Sequence, residues 1–222
     1  MKTFSEHYAN IVHTLKHRVT RYAFLLTLIY AAVSNASAFG VGSFLGGASK
    51  AIESASSSSA IAPAAAGTVE VGFSPEGSAL QLVLKVINSS TKTLDVMAYS
   101  FTSSDITRAI LNARKRGVRV RVIADEKQNT NAPGSKYAMS ALSSLVNAGA
   151  EIRTNGNFSI FHDKSIIADG RTVQTGSFNY SKAAAKENSE NVVILWGVPE
   201  VAAKYDSHFI QRWNSSQVFS GR

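Results

Sequence analysis

The stretch Thr93–Ala124, TLDVMAYSFTSSDITRAILNARKRGVRVRVIA, holds a complete strand, helix, strand unit. Thr93–Tyr99 reads as a strand. Across Ser104–Arg116, Ile106, Ala109, Ile110 and Ala113 recur at helical spacing, and Gly117 stands where a helix-ending glycine belongs. Val118–Ala124 then alternates apolar and basic residues before turning wholly apolar, which predicts a second strand.

The same alternation extends in both directions. Upstream, Thr68–Phe73 (TVEVGF) predicts a strand, and Ser74-Pro75-Glu76 marks a helix start. The helix carries Leu80, Leu82, Val83, Leu84, Val86 and Ile87 and ends near Asn88. Downstream, Lys136–Ala148 predicts another helix, closed by Gly149. Three strands alternating with three helices predict an α/β domain with a mixed, largely parallel central sheet flanked by helices. Beyond residue 160 the pattern changes. Ser165–Ala168 and Thr172–Thr175 flank Asp169-Gly170, a strong hairpin signal. Asn191–Trp196 predicts a buried strand, and Pro199–Trp213 a closing helix with Val201, Ala202, Tyr205, Phe209 and Trp213 as its apolar positions.

Ahead of this domain the composition differs. Lys16, Arg18 and Arg21 precede the apolar run Tyr22–Val33, and Ala36 and Ala38 form an A-x-A site, the three-part layout of a secretory signal peptide. Cleavage after Ala38 is expected, giving a periplasmic or secreted protein. An uncleaved membrane anchor is the rival reading, because no charge occurs from Tyr22 to Ser49. Residues 39–67 are rich in Gly, Ser and Ala and read as a linker, leaving 68–222 as the folded domain.

The chain has 222 residues, 45% of them hydrophobic, which is enough for a real core. Lys and Arg number 23 against 15 Asp and Glu, a net charge of +8 that points to a polyanionic partner. There is no cysteine, so disulfides, thiolate zinc sites and thiol nucleophiles are excluded.

His162-Asp163-Lys164-Ser165-Ile166-Ile167-Ala168-Asp169 matches H-x-K-x-x-x-x-D. This composition yields roughly 0.007 such matches by chance, so the spacing carries information. In extended chain, His162 and Lys164 project to the same side. Thr175-Gly176-Ser177-Phe178-Asn179 adds two short polar side chains beside a small residue, and Glu187 and Glu190 follow. A nucleophile, a cation, hydroxyl and amide donors and an orienting carboxylate thus fall within the 29 residues from His162 to Glu190.

The segment FHDKSIIADGRTVQTGSFNYSKAAAKENSENVVIL (Phe161–Leu195) resembles the single-motif nucleases of the phospholipase D superfamily. The stretches VGFSPEGSA, VMAYSFTS and RGVRVRVIADE also resemble that group, so the likeness spans Thr68–Trp213. It implies that His162 attacks phosphorus to give a phosphohistidine. It further implies that Lys164 and Asn179, helped by Ser177, hold the non-bridging oxygens. Glu190, with Glu187 as second candidate, would accept the His162 Nδ1–H bond and fix the tautomer. Asp169 belongs to the signature and is expected to hold local polar structure.

In-line displacement puts the nucleophile and the leaving oxygen on opposite sides of phosphorus, so one imidazole cannot easily serve both. With one motif per chain, a two-fold homodimer is expected, bringing two His162 side chains to one phosphate. His208, on the closing helix, reads as a surface or interface residue. No cofactor is expected. The few histidines and interleaved acids argue against a metal, so activity should persist in EDTA.

The first functional expectation is nonspecific endonuclease action on DNA, with RNA as a second nucleic-acid substrate. A phospholipase would share every catalytic residue, but no amphipathic docking stretch is evident in the domain. A catalytically idle nucleic-acid-binding module is the third reading, disfavoured because every expected residue type is present. Membrane association is expected only if the N-terminal segment stays uncleaved. Arg108, Arg114, Lys115, Arg116, Arg119 and Arg121 read as a solvated face ahead of a phosphate-contacting one. Asp125–Ser135 reads as a loop near the mouth of the site.

Overall fold

The computed structural model describes residues 65–221; the expected signal segment and nearly all of the expected linker lie outside them. The sheet has eight strands: β1 Thr68–Ser74, β2 Thr93–Ala98, β3 Arg119–Asp125, β4 Glu151–Asn155, β5 Lys164–Ala168, β6 Thr172–Gly176, β7 Glu190–Trp196 and β8 Gln217–Val218. The helices are α1 Ser78–Ser89, α2 Ser104–Lys115, α3 Ser135–Asn147, the short α4 Lys182–Lys186 and α5 Pro199–Asn214. A π-helical turn, Lys127–Asn131, follows β3.

The strands run in the order β1-β7-β6-β5-β2-β3-β4-β8. Only β2–β3 and β3–β4 pair parallel; the other neighbours are antiparallel. The α/β class and flanking helices are as expected, but the largely parallel sheet is confined to β2–β3–β4. The hairpin β5–β6 and the returning β7 fill the other half, and short connections join strands antiparallel. β4 (EIRTN) was not expected from sequence; with two charged residues in five it carries little apolar signal.

Local chemistry explains the elements. The Ser103 side chain accepts the Ile106 N–H, Asp105 lies in the first turn of α2, and Arg114 and Lys115 lie in its last. Each placement suits the helix dipole. After α2, Gly117 and Val118 turn the chain back with N–H bonds to the Arg114 and Ala113 carbonyls. Asp169 and Gly170 both have positive φ, 55° and 61°, the geometry of a type I′ hairpin turn.

Each face of the sheet carries its own core. On one face, Val83, Ile87, Ile106, Ile110, Leu142 and Leu145 from α1, α2 and α3 pack on Val96, Val122 and Ile166. On the other, Ala202, Phe209 and Trp213 of α5 cover Met97, Ile123, Ile167 and Val173. Under α5, Arg121 makes a bidentate pair with Asp95, both bonds at 2.7 Å, and its guanidinium lies over Phe209 and Trp213. α5 thus caps an ion pair as well as an apolar surface.

Candidate active site

β5 is the innermost strand of the antiparallel half and is buried along its whole length. Its first residue, Lys164, pairs with Ala98, the last residue of β2. His162 therefore leaves the sheet where β2 and β3 end, the edge at which loops gather in open α/β sheets. His162 is exposed, whereas Lys164 is 7% exposed. The Tyr99 ring meets the His162 ring edge-on at 4.8 Å, and the Lys164 ammonium lies 5.3 Å from the Tyr99 ring centre. Lys164 Nζ also donates to the His162 carbonyl at 2.9 Å. Burial lowers the Lys164 pKa, against the opposing pull of Glu190 and Asp163.

Glu190 and Ser177 join this edge from β7 and the end of β6. Ser177 Oγ donates to Glu190 Oε2 at 2.6 Å, and Asn188 Nδ2 donates to Oε1 at 2.9 Å. The Ser177 oxygen also accepts the Asn191 backbone N–H at 3.1 Å. Gly176, immediately before Ser177, has φ 150°, and a Cβ there would collide with the Asn191 carbonyl. The small residue is what lets β6 close onto β7 and bring Ser177 against Glu190. Asn179 is half-buried, and its amide oxygen is buried without a hydrogen bond.

His162, Lys164, Ser177 and Glu190 are thus assembled on one edge of the sheet. Two expected contacts take a different form. Within one chain, the Glu190 carboxylate is held by Ser177 and Asn188 rather than by His162, and the Ser177 hydroxyl proton goes to Glu190. Glu187 ends α4 with an exposed side chain. Asp169 is the clear departure from a catalytic grouping: it sits just past the opposite end of β5, roughly 16 Å along the strand from Lys164. There its carboxylate accepts the backbone N–H groups of Thr91, Lys92 and Thr93 and the Thr91 hydroxyl. It ties the hairpin to the turn before β2. Burial raises its pKa, but these donors outweigh burial and hold it below the ordinary value.

The basic cluster at the α2–β3 junction is also remote from His162, since β2 and β3 begin there and end at the site. Most of its charges serve the fold. Arg114 donates to the Val118 and Ala148 carbonyls, Arg116 to those of Ile87 and Ser90, and Arg121 to Asp95. Arg108 lies 3.8 Å from Asp105.

Two supporting residues escaped the sequence. Asp125, 3% exposed, accepts the Phe161 N–H at 2.7 Å and the Gln128 N–H at 2.7 Å. Asn129, fully buried in the π turn, accepts the Phe101 N–H and donates to the Tyr99 and Asp125 carbonyls. Asp125–Ser135 does lie at the mouth of the site, but within it Asp125 and Asn129 are buried and act as a brace. The acidic Asp125 ahead of a polar run was the only available signal. His208 reaches the motif too: its Nε2 lies 3.4 Å from the Asp163 carboxylate.

Residues 83–213 match the family described as "Cardiolipin synthase, PLD-like domain". A phospholipase D of Rickettsia bellii is 32% identical over 153 residues, covering 69% of this chain and 71% of that protein. A mitochondrial cardiolipin hydrolase of Chlamydomonas reinhardtii is 32% identical over 142 residues, covering 64% of this chain. The chain spans 60% of that relative's length. Among solved structures, Nuc of Salmonella typhimurium, a phospholipase D family member, is 45% identical with a TM-score of 0.66. The match covers 68% of this chain and 97% of Nuc.

Proposed function

This chain belongs to the phospholipase D superfamily and is a hydrolase acting on phosphodiester bonds; from that premise we propose that it is a metal-independent, nonspecific endonuclease whose substrate is DNA, with RNA as a second nucleic acid. The observation that carries the reading is the pairing of an exposed His162 with a buried Lys164 ammonium on one sheet edge. An imidazole open to solvent can reach a phosphorus from outside. A cation held in the wall beside it is in place before substrate arrives, so its electrostatic work costs little reorganisation. His162 attacks phosphorus and forms the P–N bond while the P–O bond to the leaving strand breaks. Water then attacks the phosphohistidine, forming a P–O bond as the P–N bond breaks, and returns His162 as the free imidazole. The water proton passes to the imidazole that protonated the leaving oxygen. Lys164 stabilises the charge on the non-bridging oxygens, and the Asn179 amide is the further donor. Glu190, braced by Ser177 and Asn188, keeps negative charge next to Lys164.

The leaving oxygen needs a proton from the far side of phosphorus, and His162 of a second copy supplies it in this proposal. A sheet face beside the site favours such a pairing. Val69, Val71 and Phe73 of β1 are 56%, 52% and 53% exposed, and Ser74 is in register with Glu190. Nucleic acid is favoured over lipid by the likeness of Phe161–Leu195 to single-motif nucleases and by the net positive charge. The N-terminal pattern supports export to the periplasm or medium.

Plasmid DNA and phosphatidylcholine vesicles, each with wild type and His162→Ala in EDTA, test the reading. Plasmid nicking by wild type alone supports it. Choline release without nicking makes the protein a phospholipase, and neither activity leaves a binding module.

A further inference from the structure

Resting on the nuclease reading, we propose that the groove beside Tyr99 is a stacking path for unpaired bases, so that the preferred substrate is single-stranded nucleic acid. A groove of about 330 Å³ opens next to Tyr99, the residue whose ring meets His162, and is lined by Lys127, Gln128, Asn131, Ser159 and Ile160. Large apolar side chains stand open on the segments that line it or directly follow them. Ile160 in the wall is 51% exposed, and Phe158, two residues earlier, is 40% exposed. Tyr137, in the first turn of the helix that follows the Lys127–Asn131 turn, is 63% exposed.

Each exposed ring carries its own cation. Arg212 lies over Phe158 at 4.9 Å, and Lys136 over Tyr137 at 5.2 Å. A ring with an adjacent cation is the combination that holds a base by its face and its phosphate by charge. The Phe158 segment is also fixed in place. Asn157 Nδ2 donates to the Ser215 carbonyl at 2.6 Å, and Asn155 Nδ2 donates to the Ser216 hydroxyl at 3.0 Å. The platform is built before the substrate binds, which limits the ordering cost.

Duplex DNA hides its base faces in the stack, so open rings have little to contact on it; an unpaired strand offers a face at every nucleotide. A membrane wedge would need a continuous apolar surface. Here Lys127, Gln128 and Asn131 interrupt it, and charge sits directly on the rings.

The test uses full-length His162→Ala, which binds without cutting, and four probes at one salt concentration. These are a single strand of about 16 nucleotides, its duplex, the same strand with abasic sites in place of its central bases, and phosphatidylglycerol vesicles. The intact strand should bind about tenfold tighter than the abasic strand and the duplex. Adding Phe158→Ser should erase most of that advantage, and Phe158→Tyr should keep it. The Tyr variant separates lost stacking from a damaged fold. Equal affinity for intact and abasic strands overturns the inference, as does Phe158-dependent vesicle binding with no preference for the single strand. If wild type nicks plasmid in EDTA but His162→Ala shows no stacking advantage, this inference fails and the nuclease reading stands. If wild type cuts neither strand form, both fail.

Discussion

The Asp125 carboxylate accepts the backbone N–H of Phe161 at 2.7 Å, joining the end of β3 to the residue before His162. Its second oxygen accepts the Gln128 N–H, so both acceptors are committed in a side chain that is 3% exposed. Asp125→Asn keeps the shape but offers one acceptor oxygen for two donors and turns an NH₂ toward an N–H. The cost should be about 1–3 kcal/mol of stability. Because His162 moves with Phe161, kcat should fall at least about tenfold with little change in KM. Urea melts together with steady-state kinetics check this, and a fully active Asp125→Asn enzyme would remove the positioning role.

Asp169 should behave as a structural acid. Its folded pKa is depressed, so its contribution to stability is fully present above the ordinary aspartate value of 3.8 and is lost as pH falls through the lower folded value. Asp169→Ala removes both the carboxylate and a residue type that tolerates φ 55°, and should cost about 2 kcal/mol. Asp169→Asn retains the turn preference and should cost less. In both, activity should follow the fraction of folded protein across a denaturant series. Activity abolished in a fully folded Asp169→Asn protein would return this residue to the chemistry.

Lys164 should set an alkaline limit to activity. Burial depresses its pKa, so the ammonium is lost at a lower pH than an ordinary lysine would allow. The alkaline limb of kcat/KM, which reports the free enzyme, should fall below the ordinary lysine value. Between the depressed and ordinary values the unfolded chain binds more protons, so stability should rise with pH while activity drops. Lys164→Arg keeps its charge at these pH values and should lose the limb, at a reduced rate because the guanidinium fork does not replace a compact ammonium. An unchanged limb in Lys164→Arg would assign it to another group.

What the sequence could disclose depended on how local each device is. The β5–β6 hairpin was legible because Asp169-Gly170 carries its own backbone preference, and α2 because its cap, stripe and closing glycine are contiguous. His162 and Lys164 were legible because alternation alone puts them together. Asn129 was not, since its three hydrogen bonds are made to Tyr99, Phe101 and Asp125, and a polar residue in a turn-rich run looks solvated until those partners are in place. The direction of β7 was hidden for a similar reason: NVVILW states burial, not which neighbour it pairs with. The basic residues of the α2–β3 junction read as a solvated face, and Arg108, Lys115, Arg116 and Arg119 are exposed. The bonds of Arg114, Arg116 and Arg121 were hidden, because nothing local tells a bound arginine from a free one.

A shared site makes a quantitative demand on mixtures. If each phosphate needs His162 from two copies, wild type at subunit fraction f among His162→Ala leaves f² of the dimers competent. Activity per wild-type subunit should then fall in proportion to f, once exchange is complete. Independent sites would leave it constant, and that result would defeat the second-histidine mechanism. The exposed β1 face gives a separate handle. Val71 is 52% exposed and in register with Val193, so Val71→Glu leaves the isolated fold its solvent-facing side chain but places paired charges in a two-fold contact. The variant should sediment as a monomer and lose turnover at every concentration, while melting close to the wild-type monomer. A monomeric Val71→Glu protein with full activity would show that one chain is a complete enzyme.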